Sequence, residues 1–259
     1  RDRVVSAIEQ HCWDGEWYIR GFADNGDLVG SKSSKEGKLF ANPQIWAVLA
    51  NINPAKNDHL MDVVDKYLDS DYGTITLTPA YTRYDDAMGR LSTIPSGWGE
   101  NCSIYCHVTA FRTVAECMIG RSNDALRSIK KITAINPLNP IDNSACEPYA
   151  FTNLYNGLEH PRPGVSLRGW WTGTITWLLQ AVTQGMLGIR PTYDGLQIAP
   201  EMPDEWPEAK VTRKFRDACY RISITNTGGP YRVFVDGKEI EGDVVAYERY
   251  NGDHAIEVR

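Results

Sequence analysis

Two short stretches of the sequence carry side chains that could bind an anion. In the first, Thr172, Gly173 and Thr174 stand immediately before apolar residues spaced as on one face of a helix, which predicts that a helix begins here. A helix N-terminus presents unpaired N–H groups, and a glycine there lets an anion approach the backbone closely. We interpret the stretch as a cradle for a phosphate or a sugar oxygen. The alternative is an ordinary threonine cap beside two core tryptophans, Trp170 and Trp171.

The second stretch is GENCSIYCH, which begins at Gly99 and precedes another amphipathic pattern. The apolar positions of that pattern predict a helix, so Glu100 and His107 are expected to lie at its mouth. The imidazole and the carboxylate could then face a polar ligand together. The alternative for His107 is a capping or packed imidazole without a ligand.

A third candidate lies near the start of the chain, where aromatic rings alternate with polar side chains in a region of loops and short strands. Asp14, Trp17, Tyr18 and Arg20 would suit a hydroxyl-rich ligand. The competing interpretation is a structural loop in which the aspartate and the arginine satisfy backbone groups.

Composition excludes several function classes. The net charge is −6 without any run of Lys or Arg, which argues against nucleic acid and anionic membranes as partners. No apolar stretch reaches the length of a membrane span. Six scattered cysteines in a chain of 259 residues favour reduced thiols and a cytoplasmic location. Cys102, Cys106 and His107 match no metal-binding spacing, so no metal site is predicted.

The elements that must position these residues change character along the chain. Apolar periodicity predicts helices in pairs, with long irregular connections at residues 74–101 and 136–169. From residue 191 alternating patterns predict antiparallel strands, and Val235-Asp236-Gly237-Lys238 predicts a hairpin. Three helix pairs suit half of an α/α toroid. We therefore predict a mainly α fold, the second half of an (α/α)6 toroid at residues 1–190 and an antiparallel β-sandwich module at 191–259.

Six segments distributed over nearly the whole chain resemble the C-terminal third of the inverting disaccharide phosphorylases, the family of cellobiose, cellodextrin, chitobiose and cellobionic acid phosphorylases. The segments are WDGEWYIRGFADNGDLVGS, QIWAVLA, YTRYDDAMGRL with GENCSIYCH, EPYAFTNLY, GWWTGTITWLL and YDGLQIAPEMP. The resemblance implies an (α/α)6 barrel with flanking β-sandwich domains. It also implies inverting phosphorolysis of a β-glucoside, with inorganic phosphate as co-substrate and no cofactor.

The resemblance places the phosphate site at His107, Thr172 and the backbone of Gly173. It places glucosyl contacts at Glu100 and at Asn153, where relatives often carry Gln. Gly99 stands where several disaccharide-specific relatives have a Lys, which argues against a cellobiose-type acceptor contact. The family's general acid is an Asp in a Trp-Asn-Asp motif upstream of residue 1, and the chain itself contains no such motif.

The loop before His107 is expected to contact the leaving sugar, since such loops usually set specificity. It carries Arg83, Arg90 and Trp98, and its arginines would suit a carboxylated acceptor such as gluconate. Surface arginines without a ligand are the equal alternative.

Two other functions remain open at this point. One is a hydrolase of the same toroid architecture, which would need two carboxylates flanking the bond. The other is a non-catalytic carbohydrate-binding fragment. The chain begins Arg-Asp-Arg, as if cut from a larger protein. We expect it to need the remainder of its own polypeptide, to be inactive and prone to associate alone, and to belong to a full-length enzyme for which a homodimer is considered.

Overall fold

The computed structural model describes residues 1–259, which form two compact units. One unit comprises Arg1–Ile119 and Asp124–Leu178, and the other comprises Gly120–Asn123 and Leu179–Arg259. Each unit has its own cluster of buried apolar side chains. The first unit holds the predicted site residues, so its elements matter most for function.

Seven α-helices are present, and all but the short α6 occupy regions in which apolar periodicity predicts helices. Their bounds are α1 (Asp2–Cys12), α2 (Ala41–Leu49), α3 (Asn57–Leu68), α4 (Cys106–Met118), α5 (Ser122–Lys131), α6 (Ile141–Ser144) and α7 (Thr174–Gln180). Ile45 and Val48 on α2 are fully buried, as are Val64 and Leu68 on α3. A 3-10 turn, Pro54–Lys56, separates these two helices and is capped by Asn53.

The predicted start of α7 is confirmed, but its apolar face is only partly buried. Leu178 and Met186 are buried, whereas Ile175 and Leu179 are mostly exposed. After Gln180 the chain continues as a π-helix over Ala181–Met186. Ile175 and Leu179 both precede this π-helix, so their exposure belongs to α7 itself, in which only Thr174 and Leu178 are buried.

Small antiparallel sheets connect the helices of the first unit. Gly21–Phe22 (β1) pairs with Leu28–Val29 (β2), as the predicted loops and short strands require. The remaining strands of this unit are β3 (Leu39–Phe40), β4 (Asp69–Ser70), β5 (Gly73–Thr74), β6 (Leu77–Thr78), β7 (Ile104–Tyr105), β8 (Thr152–Tyr155) and β9 (Ser166–Gly169). Strands β3 and β6 pair, as do β4 and β5.

The region 136–169 is more regular than the sequence predicts. It contains α6 and the two strands β8 and β9, and β8 also pairs with β7 just before α4. All four residues of β8 are buried. Short buried strands flanked by Pro, Gly and Asn lack a usable period, which explains why this hairpin was missed. Its consequence is that residue 153 lies beside the start of α4.

A buried ion network fixes α4 within the first unit. Arg112 is 1% exposed and donates to Glu116 at 2.7 Å, to Asp69 at 2.8 Å and to Asp65 on α3. Burial raises the pKa of Glu116 to about 7. Arg112 lowers this pKa, but it also pairs with two other carboxylates, and its effect is smaller than that of burial. Ser128 donates to the other oxygen of Glu116.

The second unit is mainly β-structure. One sheet has the order β10 (Ile189–Pro191), β11 (Gly195–Ile198) and β16 (Val244–Ala246). A five-stranded mixed sheet has the order β12 (Glu208–Phe215), β13 (Ala218–Thr225), β17 (Asp253–Val258), β14 (Val233–Val235) and β15 (Lys238–Glu239). The second sheet is not purely antiparallel, since β13 and β17 run parallel.

The alternation predicted for β13 and the predicted hairpin are confirmed. Tyr220, Ile222 and Ile224 are buried, while the residues between them are exposed. Strands β14 and β15 form the predicted hairpin, and its two turn residues have positive φ, 49° at Asp236 and 76° at Gly237. These values match the I′ turn that Asp-Gly favours.

Three further properties bear on the function classes. None of the helices combines the length and the apolar character that crossing a membrane requires. No three His, Cys, Asp or Glu side chains are grouped so that they could hold a metal ion. All six cysteines are free thiols.

Candidate functional site

His107 lies in the first turn of α4, directly after strand β7. Its ring packs against Phe111 one turn later, with 4.4 Å between the ring centroids, and Phe111 packs edge-on against Trp177 of α7 at 4.6 Å. The Nε2 atom is buried and has no hydrogen-bond partner. Burial lowers the pKa of His107, so the imidazole is neutral at pH 7. In the tautomer whose Nε2 carries the hydrogen, a neutral imidazole donates a hydrogen bond from this atom to a ligand.

Gly173 lies against the edge of this imidazole. A Cβ atom at position 173 would stand 2.8 Å from Cε1 and 3.0 Å from Nε2 of His107. Both distances are shorter than ordinary van der Waals contact, so only glycine fits here without displacing the ring. The structure thus brings together two residues that are far apart in the sequence.

Thr172 lies two residues before the first residue of α7. Its hydroxyl oxygen accepts the Thr174 N–H at 3.2 Å and lies 2.6 Å from the Thr174 hydroxyl. The threonine cap is therefore present, but the two tryptophans beside it are not core residues. Trp170 is 63% exposed and Trp171 is 77% exposed. The backbone turns sharply here, with φ of 58° at Arg168 and 70° at Trp170, which directs the rings outward.

A cavity of about 470 Å³ opens beside His107 and also contains Glu100 and Arg90. This volume is within the range of small-molecule sites. Arg20 adds a second guanidinium group, and Thr76 supports the Glu100 backbone by donating to its carbonyl at 3.0 Å. The full lining consists of Arg20, Phe40, Asn42, Thr76, Arg90, Leu91, Ile94, Glu100, Tyr105, His107, Val108 and Phe111.

Other predicted site residues lie outside that lining. Asn153 is buried on β8 and donates from Nδ2 to the Tyr105 hydroxyl at 3.2 Å, so it reaches the cavity only through Tyr105. Trp98 is 41% exposed in the loop before Glu100. Its backbone N–H donates to the Pro95 carbonyl. The Trp98 ring does not line the cavity.

Asp14 is engaged in its own loop. One carboxylate oxygen accepts the Ser31 hydroxyl at 2.9 Å and the Lys32 N–H at 2.6 Å. Trp17 and Tyr18 are buried, and the Trp17 indole donates to the Gly30 carbonyl at 3.0 Å. These bonds match the structural interpretation of the region, and of the four candidate residues there only Arg20 lines the cavity.

Several cavity residues were not identified from the sequence. Asn42 stands in the first turn of α2, Phe40 ends β3, and Ile94 follows the 3-10 helix Gly89–Thr93. Each reaches the cavity through tertiary structure. A single asparagine before a proline belongs to no recognised binding motif. Asn42 does lie two residues before QIWAVLA, a segment of the resemblance, and this position could have indicated a place near the site.

The cavity thus combines an imidazole, two guanidinium groups and a carboxylate, a composition suited to a small polar ligand. The chain belongs to the glycosyl hydrolase 94 superfamily, whose catalytic domain matches residues 1–188. The resemblance to the disaccharide phosphorylases is confirmed.

Several relatives of the chain are named as phosphorylases. A solabiose phosphorylase of Paenibacillus borealis is 41% identical over 99% of this chain and 34% of the relative. A 3-O-β-D-glucopyranosyl-β-D-glucuronide phosphorylase of the same organism is 37% identical over 95% of this chain and 33% of the relative. An N,N′-diacetylchitobiose phosphorylase of Vibrio proteolyticus is 33% identical over 93% of this chain and 31% of the relative. The chain spans about a third of the length of these proteins.

Proposed function

We propose that the protein containing this chain catalyses inverting phosphorolysis of a β-linked glucosyl disaccharide or oligosaccharide, and that phosphate binds at His107, Thr172 and Gly173. The observation that carries the proposal is the contact between Gly173 and the edge of His107, whose buried Nε2 lacks a partner. A buried polar atom without a partner is costly unless a ligand satisfies it. Membership in the family and the names of the relatives support the same reaction.

In this reaction a phosphate oxygen attacks the anomeric carbon while the bond to the leaving sugar oxygen breaks. A carboxylic acid gives its proton to that oxygen, and inversion of a β-glycoside yields an α-sugar 1-phosphate. Phosphate is already a nucleophile, so no second catalytic carboxylate is required. The tasks left for His107, Thr172 and the backbone at Gly173 are to hold the dianion and to orient it.

The general acid is proposed to be an aspartate outside these 259 residues. The chain alone is then expected to bind ligands without turnover, and its apolar surface is expected to be covered by the remainder of its own polypeptide. A hydrolase would instead require a second carboxylate across the bond, and a purely carbohydrate-binding fragment would require neither.

The two sugar units are assigned to different groups of residues. Glu100 contacts the transferred glucosyl unit, with Asn153 supporting it through Tyr105. Arg90 and the Trp98 loop contact the leaving sugar. Arg90 and Arg20 in one cavity favour an acceptor that carries a carboxylate, and a relative named for a glucuronide supports this choice.

We also retain the architecture implied by the family. Residues 1–190 are proposed to complete an (α/α)6 barrel with the remainder of the polypeptide, and residues 191–259 to form a β-sandwich module. A homodimer of the full-length enzyme and a cytoplasmic location remain predictions.

The test supplies full-length protein with phosphate and a panel of β-linked disaccharides, uronide-containing ones included. Formation of α-sugar 1-phosphate that depends on phosphate supports the proposal. Release of free glucose without phosphate would indicate a hydrolase, and binding without turnover would indicate a carbohydrate-binding protein.

A further inference from the structure

Asn42 is a second residue of the cavity that has an unsatisfied polar atom. Its Oδ1 is buried and has no hydrogen-bond partner, as is the case for Nε2 of His107. Both residues line the same cavity, from different helices, α2 and α4. Unpartnered buried atoms are rare in proteins, and two in one ligand-sized cavity call for a ligand.

The chemistry of the two atoms differs. An amide oxygen only accepts hydrogen bonds, whereas the neutral imidazole of His107 can donate one from Nε2. A phosphate dianion presents three charged acceptor oxygens and a single hydroxyl. One of its oxygens satisfies His107, whereas its negative charge disfavours a position beside the acceptor oxygen of Asn42. A sugar hydroxyl presents a hydrogen and satisfies Asn42.

We propose that Asn42 is a sugar-binding residue, whose Oδ1 accepts a hydrogen bond from one hydroxyl of the substrate beside the phosphate. The assignment rests on the proposed function in taking a sugar as the ligand. Glu100, Arg20 and Arg90 line the same cavity and provide the charged contacts, while Asn42 adds a neutral contact that depends on one hydroxyl group. Asn42 thereby selects for a substrate that carries this hydroxyl in the correct configuration.

The experiment compares wild type with Asn42→Leu and Asn42→Asp in the full-length protein. Leucine has a similar volume but no acceptor, and aspartate keeps the acceptor. Loss of one hydrogen bond is worth about 0.5–1.5 kcal/mol, or roughly a 2- to 12-fold loss in kcat/KM for the sugar, with the phosphate KM unchanged. Aspartate should recover part of the loss in kcat/KM for the sugar, while its negative charge beside the phosphate should raise the phosphate KM of that variant.

Deoxy analogues of the sugar identify the hydroxyl. One deoxy analogue should lower kcat/KM of the wild type by the same factor by which Asn42→Leu lowers kcat/KM for the complete sugar. With that analogue, Asn42→Leu should show no further decrease in kcat/KM. Asn57→Leu is the matched control, because Asn57 Oδ1 is also buried without a partner but does not line the cavity. Asn57→Leu is expected to leave the discrimination between the sugar and its deoxy analogue unchanged.

The inference is overturned if Asn42→Leu raises the phosphate KM as much as the sugar KM. It is also overturned if Asn42→Leu lowers kcat/KM relative to wild type by the same factor for every deoxy analogue. A wild type without phosphorolysis would refute the proposed function and leave Asn42 testable. In that case ligand-detected NMR of sugar binding to wild type and to Asn42→Leu decides between binding and no role.

Discussion

Replacing Gly173 with alanine tests whether the backbone at this position must lie against His107. The added Cβ would stand 2.8 Å from Cε1, about 0.7 Å inside the optimal separation of two carbon atoms. The φ angle at Gly173 is not in the left-handed region, so alanine itself is compatible with the backbone. The ring is restrained by its contact with Phe111, so the strain must displace either the imidazole or the start of α7.

Displacements approaching 1 Å in a binding site can cost about 100-fold, and overpacking costs about 1–3 kcal/mol of stability. We therefore expect Gly173→Ala to raise the phosphate KM of the full-length enzyme about 10- to 100-fold. Initial rates at varied phosphate concentration measure this effect, and the unfolding temperature separates it from loss of fold. Gly229→Ala is the control, since a Cβ there meets no atom within 4 Å. An unchanged phosphate KM in Gly173→Ala would refute the proposed cradle.

Three further predictions concern other residues. His107→Ala and Thr172→Ala should each weaken phosphate binding, by about 1.5–3 kcal/mol for the imidazole once it carries charge and less for the hydroxyl, and normal phosphate saturation in both would contradict the site. Arg90→Ala should raise the acceptor KM in the synthetic direction with little change for glucose 1-phosphate, whereas equal losses for both would argue against an acceptor contact. The pKa of Glu116 is raised to about 7, so protonation of this carboxyl favours the folded state. Its contribution to the free energy of unfolding is complete below about pH 4.5, and roughly 3 kcal/mol is lost as the pH rises towards 7. Urea unfolding should show this slope in wild type and lose it in Glu116→Gln, and parallel pH profiles would show that Glu116 stays ionised.

The sequence predicts local structure well where side chains repeat with a clear period. Ile45 and Val48 on α2 are buried as their spacing requires, and Tyr220, Ile222 and Ile224 alternate as expected on β13. Two regions are exceptions. Ile175 and Leu179 of α7 are exposed although their spacing places them on the predicted apolar face. The short strand β8 has no period that a pattern could reveal.

The site could be predicted only in part, because it is assembled by tertiary contacts. His107 and Thr172 were expected from helix starts, and their residue types indicated an anion site. The contact between Gly173 and the imidazole depends on how α4 and α7 pack, which no local pattern specifies. Asn42 was missed because a single polar residue at the start of a helix is uninformative until the structure shows that its oxygen has no partner.

The claim that His107 and Gly173 hold phosphate is tested most directly by NMR of the His107 ring during a phosphate titration. A nearby dianion favours the imidazolium form, so phosphate should shift the His107 resonances saturably and raise its pKa from the lowered value caused by burial. Sodium chloride at equal ionic strength should neither shift these resonances saturably nor raise the pKa. In Gly173→Ala, phosphate should produce only a small part of the shift seen in wild type. An unchanged His107 spectrum and pKa at phosphate concentrations that saturate phosphorolysis would contradict the account.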